Sequence, residues 1–129
     1  MYQLWYSIDM NENEYRSVHW IGSSREDLKD FPKQARRMVG IALYTAQHGG
    51  KHERAKPLKG FGSGVLEIVS NYDSDTYRAV YTVRLTHGIY VLHCFQKKSK
   101  YGIKTPQKEI DMIKQRLNLA IEQDREAKE

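Results

Sequence analysis

Apolar and polar residues alternate in four short segments of the chain. These segments are residues 16–21, 64–70, 76–85 and 89–96. Such alternation predicts strands with one buried face, because successive side chains of a strand point to opposite sides of a sheet. The first fifteen residues alternate only in part, and they are interpreted as an edge strand or arm.

Three further segments show the helical period of apolar residues. A short helix is predicted from the Ser23-Ser24 pair, which suits an N-cap, to about Asp30. A longer helix is expected to begin at Pro32 and to end at Gly49-Gly50, where glycine can take the left-handed conformation. Its apolar stripe comprises Ala35, Met38, Val39, Ala42 and Ala46. A final helix follows Thr105-Pro106, with the stripe Ile110, Ile113, Leu117, Ala120 and Ile121.

The order of these elements predicts an α+β fold. An N-terminal strand and a helix pair precede three strands joined by short turns, and a C-terminal helix follows them. Short turns between consecutive strands indicate an antiparallel meander, and helices grouped at the ends of the strand run are typical of α+β domains. We expect one domain over residues 1–129, with residues 122–129 forming a frayed acidic tail.

Composition and charge narrow the class of partner. The 129 residues are 40% hydrophobic and 29% charged, as in an ordinary folded domain. The net charge is +5, and basic residues are concentrated in segments 51–59 and 97–108, which indicates an anionic partner. The lone Cys94 favours a reducing compartment. Because neither a signal peptide nor a membrane-spanning apolar run is visible, we expect a cytoplasmic protein without membrane contact.

A basic loop enters the first meander strand. It reads Lys56-Pro-Leu-Lys-Gly-Phe-Gly-Ser-Gly64. Its glycines would let the backbone approach a phosphate closely, and Lys56 and Lys59 would supply charge. The loop is not of the Walker type, because no Gly-Lys-Ser/Thr opens a helix. Composition alone favours the alternative, a flexible lead-in with solvated lysines.

Arg78 lies in the middle of an otherwise apolar strand, in the run Tyr77-Arg-Ala-Val-Tyr81. Such an arginine must either face an open side of the sheet or pair with a buried acid. An open position would make its planar guanidinium a fork for phosphate. Glu67 on the neighbouring strand could instead be its ion-pair partner, and the sequence leaves both readings open.

The last predicted strand leaves the sheet through His93-Cys-Phe-Gln-Lys-Lys98. Strict alternation places Val91 and Phe95 on the same face as His93, and Leu92, Cys94 and Gln96 on the opposite face. Lys97 and Lys98 would then form a cationic rim at the strand end. His93 could transfer a proton, although a lone histidine in a sheet is more often a hydrogen-bonded structural residue.

No metal ion or other cofactor is expected. His48 and His52 have the spacing of a metal-ligand pair, but they flank Gly49-Gly50 and so cannot share one helix face. No neighbouring cysteine or acid completes a site, and no Ser/His/Asp set stands out.

Five blocks in a fixed order resemble the RelE/ParE toxin superfamily, and in particular its phage-derived, HigB-like branch. The blocks are Lys56-Pro-Leu-Lys-Gly, Val65-Leu-Glu-Ile, Tyr77-Arg-Ala-Val-Tyr, Tyr90-Val-Leu-His-Cys-Phe-Gln-Lys-Lys-Ser and Thr105-Pro-x-x-Glu-Ile110. The similarity spans about residues 16 to 121. It implies a small basic toxin of a type II toxin–antitoxin system. Members of the RelE and HigB type cut mRNA at the ribosome and are neutralised by an antitoxin, which in the HigB-like branch is usually a helix-turn-helix, HigA-like protein.

The resemblance also implies roles for individual residues. Arg78 and Lys98 would stabilise charge on a phosphate, and proton transfer would fall to His93 or Glu67. RNA would be positioned by Lys56, Lys59, Gln96, Lys97 and Lys100. Glu67 and Val69 stand where ribosome-dependent relatives have lysines, and Lys104 stands where some have a tyrosine.

The implied reaction is metal-free RNA cleavage, in which the ribose 2′-OH attacks the adjacent phosphate. Two other functions fit the same resemblance. The chain could be a ParE-like poison of gyrase that cuts no RNA, or a toxin-fold interaction module without activity.

Overall fold

The computed structural model describes residues 15–97 and 105–127. Its strands are β1 (Val18–Trp20), β2 (Lys56–Pro57), β3 (Val65–Tyr72), β4 (Asp75–Thr82) and β5 (Ile89–Lys97). Its helices are α1 (Ser24–Lys29), α2 (Lys33–Gln47) and α3 (Gln107–Glu126). The edge strand or arm predicted for the first fifteen residues therefore lies outside the described residues, apart from Tyr15.

The strands form one five-stranded sheet in the order β1-β5-β4-β3-β2. Strands β3, β4 and β5 are the predicted antiparallel meander, and the α+β class is confirmed. The β3–β4 turn consists of Asp73 and Ser74, which have positive φ angles of 54° and 74°. Two successive residues of this kind make a type I′ turn, whose twist matches that of the flanking strands.

The sequence predicted an antiparallel sheet, but the sheet is mixed, because β1 pairs parallel to β5. Val18 lies opposite Ile89 and Trp20 lies opposite Val91. Alternation places the faces of β1 correctly, with Val18 and Trp20 toward one core and Ile21 toward the other. Alternation contains no information about the partner strand, and along the chain β5 is separated from β1 by helices α1 and α2 and by strands β2, β3 and β4.

Helix α2 covers one face of the sheet. The predicted stripe is confirmed for Ala35, Val39, Ala42 and Ala46, and Leu43 joins it. These side chains pack on Leu66, Ile68, Ala79, Tyr81, Ile89 and Val91. The helix ends as predicted: the N–H of Gly49 (φ 88°) donates to Ala46, and the N–H of Gly50 donates to Thr45.

Helix α3 lies against a second core on the other face of the sheet. Ile113 and Ala120 are fully buried there, and Leu117 packs partly against them. The strand residues of this core are Val65, Val80, Tyr90, Leu92 and Phe95. Despite its 20 residues, α3 is too polar to cross a bilayer, and no described helix is long and apolar enough to do so.

A β-bulge in β5 overturns the predicted alternation there. Val80 lies opposite His93, whereas the next pair is Tyr81 with Val91, so Leu92 is an extra residue on β5. Because of this insertion, Val91 faces the α2 core, whereas the side chain of His93 lies on the face of the sheet that α3 covers.

The bulge changes which side chains share a face around it. Val91 and Cys94, predicted on opposite faces, both contribute to the α2 core. Leu92 and Phe95, also predicted on opposite faces, both contribute to the α3 core. His93 and Phe95 share a face, as predicted, and their rings stack with centroids 4.9 Å apart. Side chains still alternate between the two faces before and after an inserted residue, but those after it lie on the faces opposite to the ones that strict alternation predicts.

The end of α3 is ordered by a buried carboxylate. Residues 122–126, predicted to fray, continue the helix, and Asp124 is only 8% exposed. Asp124 accepts hydrogen bonds from the backbone N–H groups of Thr86 (2.9 Å) and His87 (2.7 Å) and from the hydroxyl of Tyr90 (3.1 Å). Burial alone would raise the pKa of Asp124, but these hydrogen bonds outweigh it, so that the pKa lies below its usual value.

Replacing Asp124 with asparagine is expected to lower the free energy of unfolding at pH 7 by about 1.5–3 kcal/mol, the range for hydrogen bonds to a charged group. The depressed pKa means that this stabilisation is present above the unfolded-state pKa and is lost as the pH falls through the folded-state pKa. Urea unfolding at decreasing pH should therefore show the difference between parent and variant shrinking. The exposed Glu122→Gln change on the same helix is the matched control, and an equal loss in both variants would contradict the role of Asp124.

Candidate functional site

A basic cleft lies between the β2–β3 edge of the sheet and the first turn of α3. It has a volume of about 480 Å³ and is lined by Lys56, Pro57, Leu58, Lys59, Glu67, Thr105, Gln107 and Ile110. The short β2 strand brings Lys56 to the cleft, because Lys56 pairs opposite Glu67 in the sheet. Both lysines are exposed, so the cleft combines two solvent-accessible cations with one carboxylate.

A second cavity of about 310 Å³ adjoins the basic cleft and shares Lys56 and Glu67 with it. The rest of its lining is Glu53, Arg54, Val69 and Asn71. The two cavities together form a groove along the outward side of β3. The exposed Arg54 adds a third cation, and a groove of this kind can follow the backbone of a single nucleic-acid strand.

The sequence left open whether Arg78 binds a phosphate or pairs with Glu67, and the structure contains the pair. Arg78 Nη1 lies 2.9 Å from Glu67 Oε2, with side-chain exposures of 7% and 14%. The Thr105 hydroxyl lies 3.5 Å from the same Nη1 and 3.4 Å from the same Oε2. The guanidinium therefore lies beneath the basic cleft and holds the carboxylate that faces into it.

Glu67 is the only carboxylate that lines the basic cleft among the described residues. Its Oε2 accepts from Arg78 and Thr105, whereas its Oε1 has no hydrogen-bond partner among those residues. One oxygen is therefore fixed and the other is available to a ligand.

His93 does not lie in the basic cleft. It lines a separate cavity of about 310 Å³, the His93 cavity, whose other polar residues include Asp27, Asp30 and Glu109. These carboxylates give the cavity an acidic character, which opposes the approach of phosphate. The predicted catalytic residues are thus divided: Glu67 and Arg78 lie together, and His93 lies apart from them.

Both ring nitrogens of His93 are engaged. Nε2 lies 2.6 Å from Glu109 Oε1, and Nδ1 lies 3.3 Å from Nη1 of Arg116. A guanidinium only donates, so Nδ1 accepts and the single ring proton sits on Nε2, donated to Glu109. Burial is the largest influence on the pKa of His93 and lowers it, which outweighs the opposite effect of Glu109. His93 is therefore a neutral imidazole whose ring is held by Glu109 and Arg116.

The basic end of β5 is only partly described. Gln96 donates to Asp75 (2.8 Å) across the hairpin and lines the His93 cavity, so it lies away from the basic cleft. Lys97 is half-buried opposite Thr76. Lys98 and Lys100 lie outside the described residues, and their predicted roles stay predictions.

The described residues contain no group of three or more His, Cys, Asp or Glu side chains that could hold a metal ion. The two histidines with metal-ligand spacing make other contacts. His48 Nδ1 bonds the carbonyl of Tyr44 (3.0 Å), and His52 Nδ1 accepts from the N–H of Arg54 (3.0 Å). Cys94 is buried, which raises its thiol pKa to about 12 and makes it a poor nucleophile.

Sequence reasoning missed Arg116, the arginine that joins three elements. It is 9% exposed and donates to the Leu92 carbonyl (3.1 Å) and to the hydroxyl of Ser23 (3.0 Å), in addition to His93. Its position was a signal, because residue 116 falls three after Ile113 and thus inside the apolar stripe of α3. A charged residue in such a stripe predicts a buried hydrogen-bond network.

The fold and the cleft thus define a small α+β protein that carries cations and one carboxylate at a sheet edge. The family model described as "Phage derived protein Gp49-like (DUF891)" matches residues 26–118, which is well over half of the chain. The chain therefore belongs to the Gp49-like family of phage-derived proteins, a family associated with toxins of the RelE/HigB type. Searches of the curated proteins and of the solved structures gave no match.

Proposed function

We propose that this protein is the toxin of a type II toxin–antitoxin system and acts as a metal-free mRNA endoribonuclease. The observation that carries the proposal is the position of Glu67 in the basic cleft, between exposed lysines and above Arg78. Membership of a family associated with RelE/HigB-type toxins supports the same class. The family link also supports an antitoxin partner, for which a helix-turn-helix protein is proposed, and the ribosome as the place where mRNA is met.

The geometry supports Glu67 as general base in preference to His93. Oε1 of Glu67 would accept the proton of a ribose 2′-OH, whose oxygen then attacks the adjacent phosphorus. The bond from phosphorus to the 5′ oxygen breaks, leaving a 2′,3′-cyclic phosphate and a 5′ oxygen that takes up a proton from water. Lys56 and Lys59 would stabilise the charge that develops on the phosphate. Arg78 would act through Glu67, as a positioning residue.

RNA incubated with the purified protein, or with the protein and ribosomes, should be cleaved in the presence of EDTA and carry 5′-hydroxyl ends. The physical reason is that 2′-OH attack needs a base and cations but no metal-bound water. Mapping of 5′ ends in cells after brief induction, together with growth arrest, provides the in vivo measurement. Loss of cleavage on chelation and its recovery with magnesium or zinc would overturn the mechanism.

A gyrase poison without nuclease activity is the second candidate. The observation that favours it is the ion pair itself, because an Arg78 engaged with Glu67 is less able to bind a phosphate directly. Inhibition of gyrase supercoiling by the purified protein, with no new 5′ ends in cellular RNA, would select this function over the first.

A further inference from the structure

The solvent side of α2 exposes apolar and aromatic side chains that nothing in the described structure covers. Ile41 is 50% exposed and Tyr44 is 60% exposed, and their spacing of three residues places them on one side of the helix. The exposed Tyr15 (51%) extends this surface at the end of α2, where its ring lies 5.2 Å from that of His48. Single exposed apolar residues are ordinary, but a row along one helix indicates a contact surface.

Gly40 gives the same surface a shallow depression. It lies in the middle of α2 and is exposed, and a Cβ placed on it would meet no atom within 4 Å. Internal packing therefore does not require glycine, although glycine within a helix costs about 1 kcal/mol relative to alanine. A residue without a side chain beside Ile41 and Tyr44 allows the backbone of another helix to approach closely.

The N-terminal half of this surface is positively charged. Lys33, Arg36 and Arg37 are exposed, and none of them forms an ion pair with another described residue. Helix α2 contains no aspartate or glutamate, and the positive end of its dipole lies at the same end. The outer side of α3 differs, because the exposed residues three and four positions from Leu119 are Gln115, Glu122 and Gln123, none of which is basic.

From this combination we propose that the outer face of α2 (Lys33, Arg36, Arg37, Gly40, Ile41 and Tyr44) binds an amphipathic helix of a partner protein. The apolar seam of that helix packs over Gly40, Ile41 and Tyr44, and its carboxylates face the three basic residues. A helix in this position satisfies both the apolar and the charged half of the surface, whereas RNA would leave Ile41 unpaired. The face lies on the opposite side of the sheet from the basic cleft, so its occupant can bind while the cleft stays open.

Photocrosslinking identifies the occupant directly. Tyr44→p-benzoylphenylalanine in the full chain would be irradiated with either of two synthetic 20-residue helices that share a Leu/Ala seam. One peptide has glutamate at its flanking positions and the other has lysine. The glutamate peptide should crosslink and should bind about tenfold more tightly than the lysine peptide by fluorescence anisotropy, with a preference that weakens as salt is added.

Two variants make the test specific. Arg36→Glu combined with Arg37→Glu should reverse the preference between the peptides, and Ile41→Asp should abolish binding of both. Leu119→Asp, on α3, should change neither, and RNA cleavage should be unaffected by Ile41→Asp, which separates this surface from the basic cleft. Equal binding of the two peptides, or crosslinks only to residues 1–14 of the same chain, to a second copy or to added RNA, would overturn the proposal.

Discussion

Replacing Arg78 with alanine is expected to lower the free energy of unfolding by about 3–5 kcal/mol, the range for removing one partner of a buried ion pair. The variant would leave the Glu67 carboxylate, which is 14% exposed, with only the distant hydroxyl of Thr105 as a described partner. The loss should appear as a reduced midpoint in urea unfolding and as a lower melting temperature. Arg54→Ala, which removes an exposed arginine of the same groove, should change stability by less than about 0.5 kcal/mol.

A double variant shows how much of the stability lost in Arg78→Ala is due to the unpaired charge of Glu67. Replacing both partners, as in Glu67→Leu with Arg78→Met, removes the uncompensated charge, so most of the lost stability should return. If Arg78→Ala melts like the parent yet has lost all toxicity, the ion pair contributes little to stability. The guanidinium would then serve a ligand directly.

Glu67→Gln is expected to slow RNA cleavage by about 10²–10⁴-fold, the usual contribution of a general base. The amide keeps the shape of the carboxylate and can still accept from Arg78, but it cannot take the 2′-OH proton. Binding of a non-cleavable RNA with a 2′-deoxy group at the scissile position should be retained. Because the variant leaves Arg78 without its counter-charge, the rates should be compared per folded molecule, with melting curves for each.

Lys56→Ala is the comparison variant, because in the proposed mechanism Lys56 supplies charge at the same cleft but transfers no proton. It should weaken RNA binding and reduce the slope of log affinity against log salt by about one unit. His93→Gln should slow cleavage far less than Glu67→Gln in whatever fraction folds. Parental cleavage rates for Glu67→Gln, or a loss confined to His93→Gln, would transfer the base role away from Glu67.

The sequence was most informative where local chemistry decides the structure. The Pro32 start and the Gly49-Gly50 end of α2 follow from backbone constraints within a few residues, and the three meander strands follow from alternation and short turns. The fold class could be predicted from these local signals together with the order of elements. The pairing of β1 with β5 could not, because it depends on which strand edge remains free after the meander has formed.

Features that depend on geometry across the sheet were not predictable. The bulge at Leu92 is invisible to alternation, because an apolar residue suits either face of a doubly covered sheet. The hydrogen bonds that bury Asp124 come from the turn before β5 and from Tyr90 in β5, all 34 or more residues away along the chain. For the site, residue types predicted the lysines of the cleft, but they left the Arg78–Glu67 pair as one of two alternatives for Arg78. The separation of the basic cleft from the His93 cavity could not be predicted, because it depends on where α3 lies against the sheet.

Both outer strands of the described sheet are too short to template another strand. β1 has three residues, and β2 has two, one of them Pro57, which has no N–H to donate. A partner chain therefore finds few backbone groups on which to extend the sheet by β-augmentation. Recognition of this protein should accordingly depend on side chains, and single substitutions on the surface should be able to change the choice of partner.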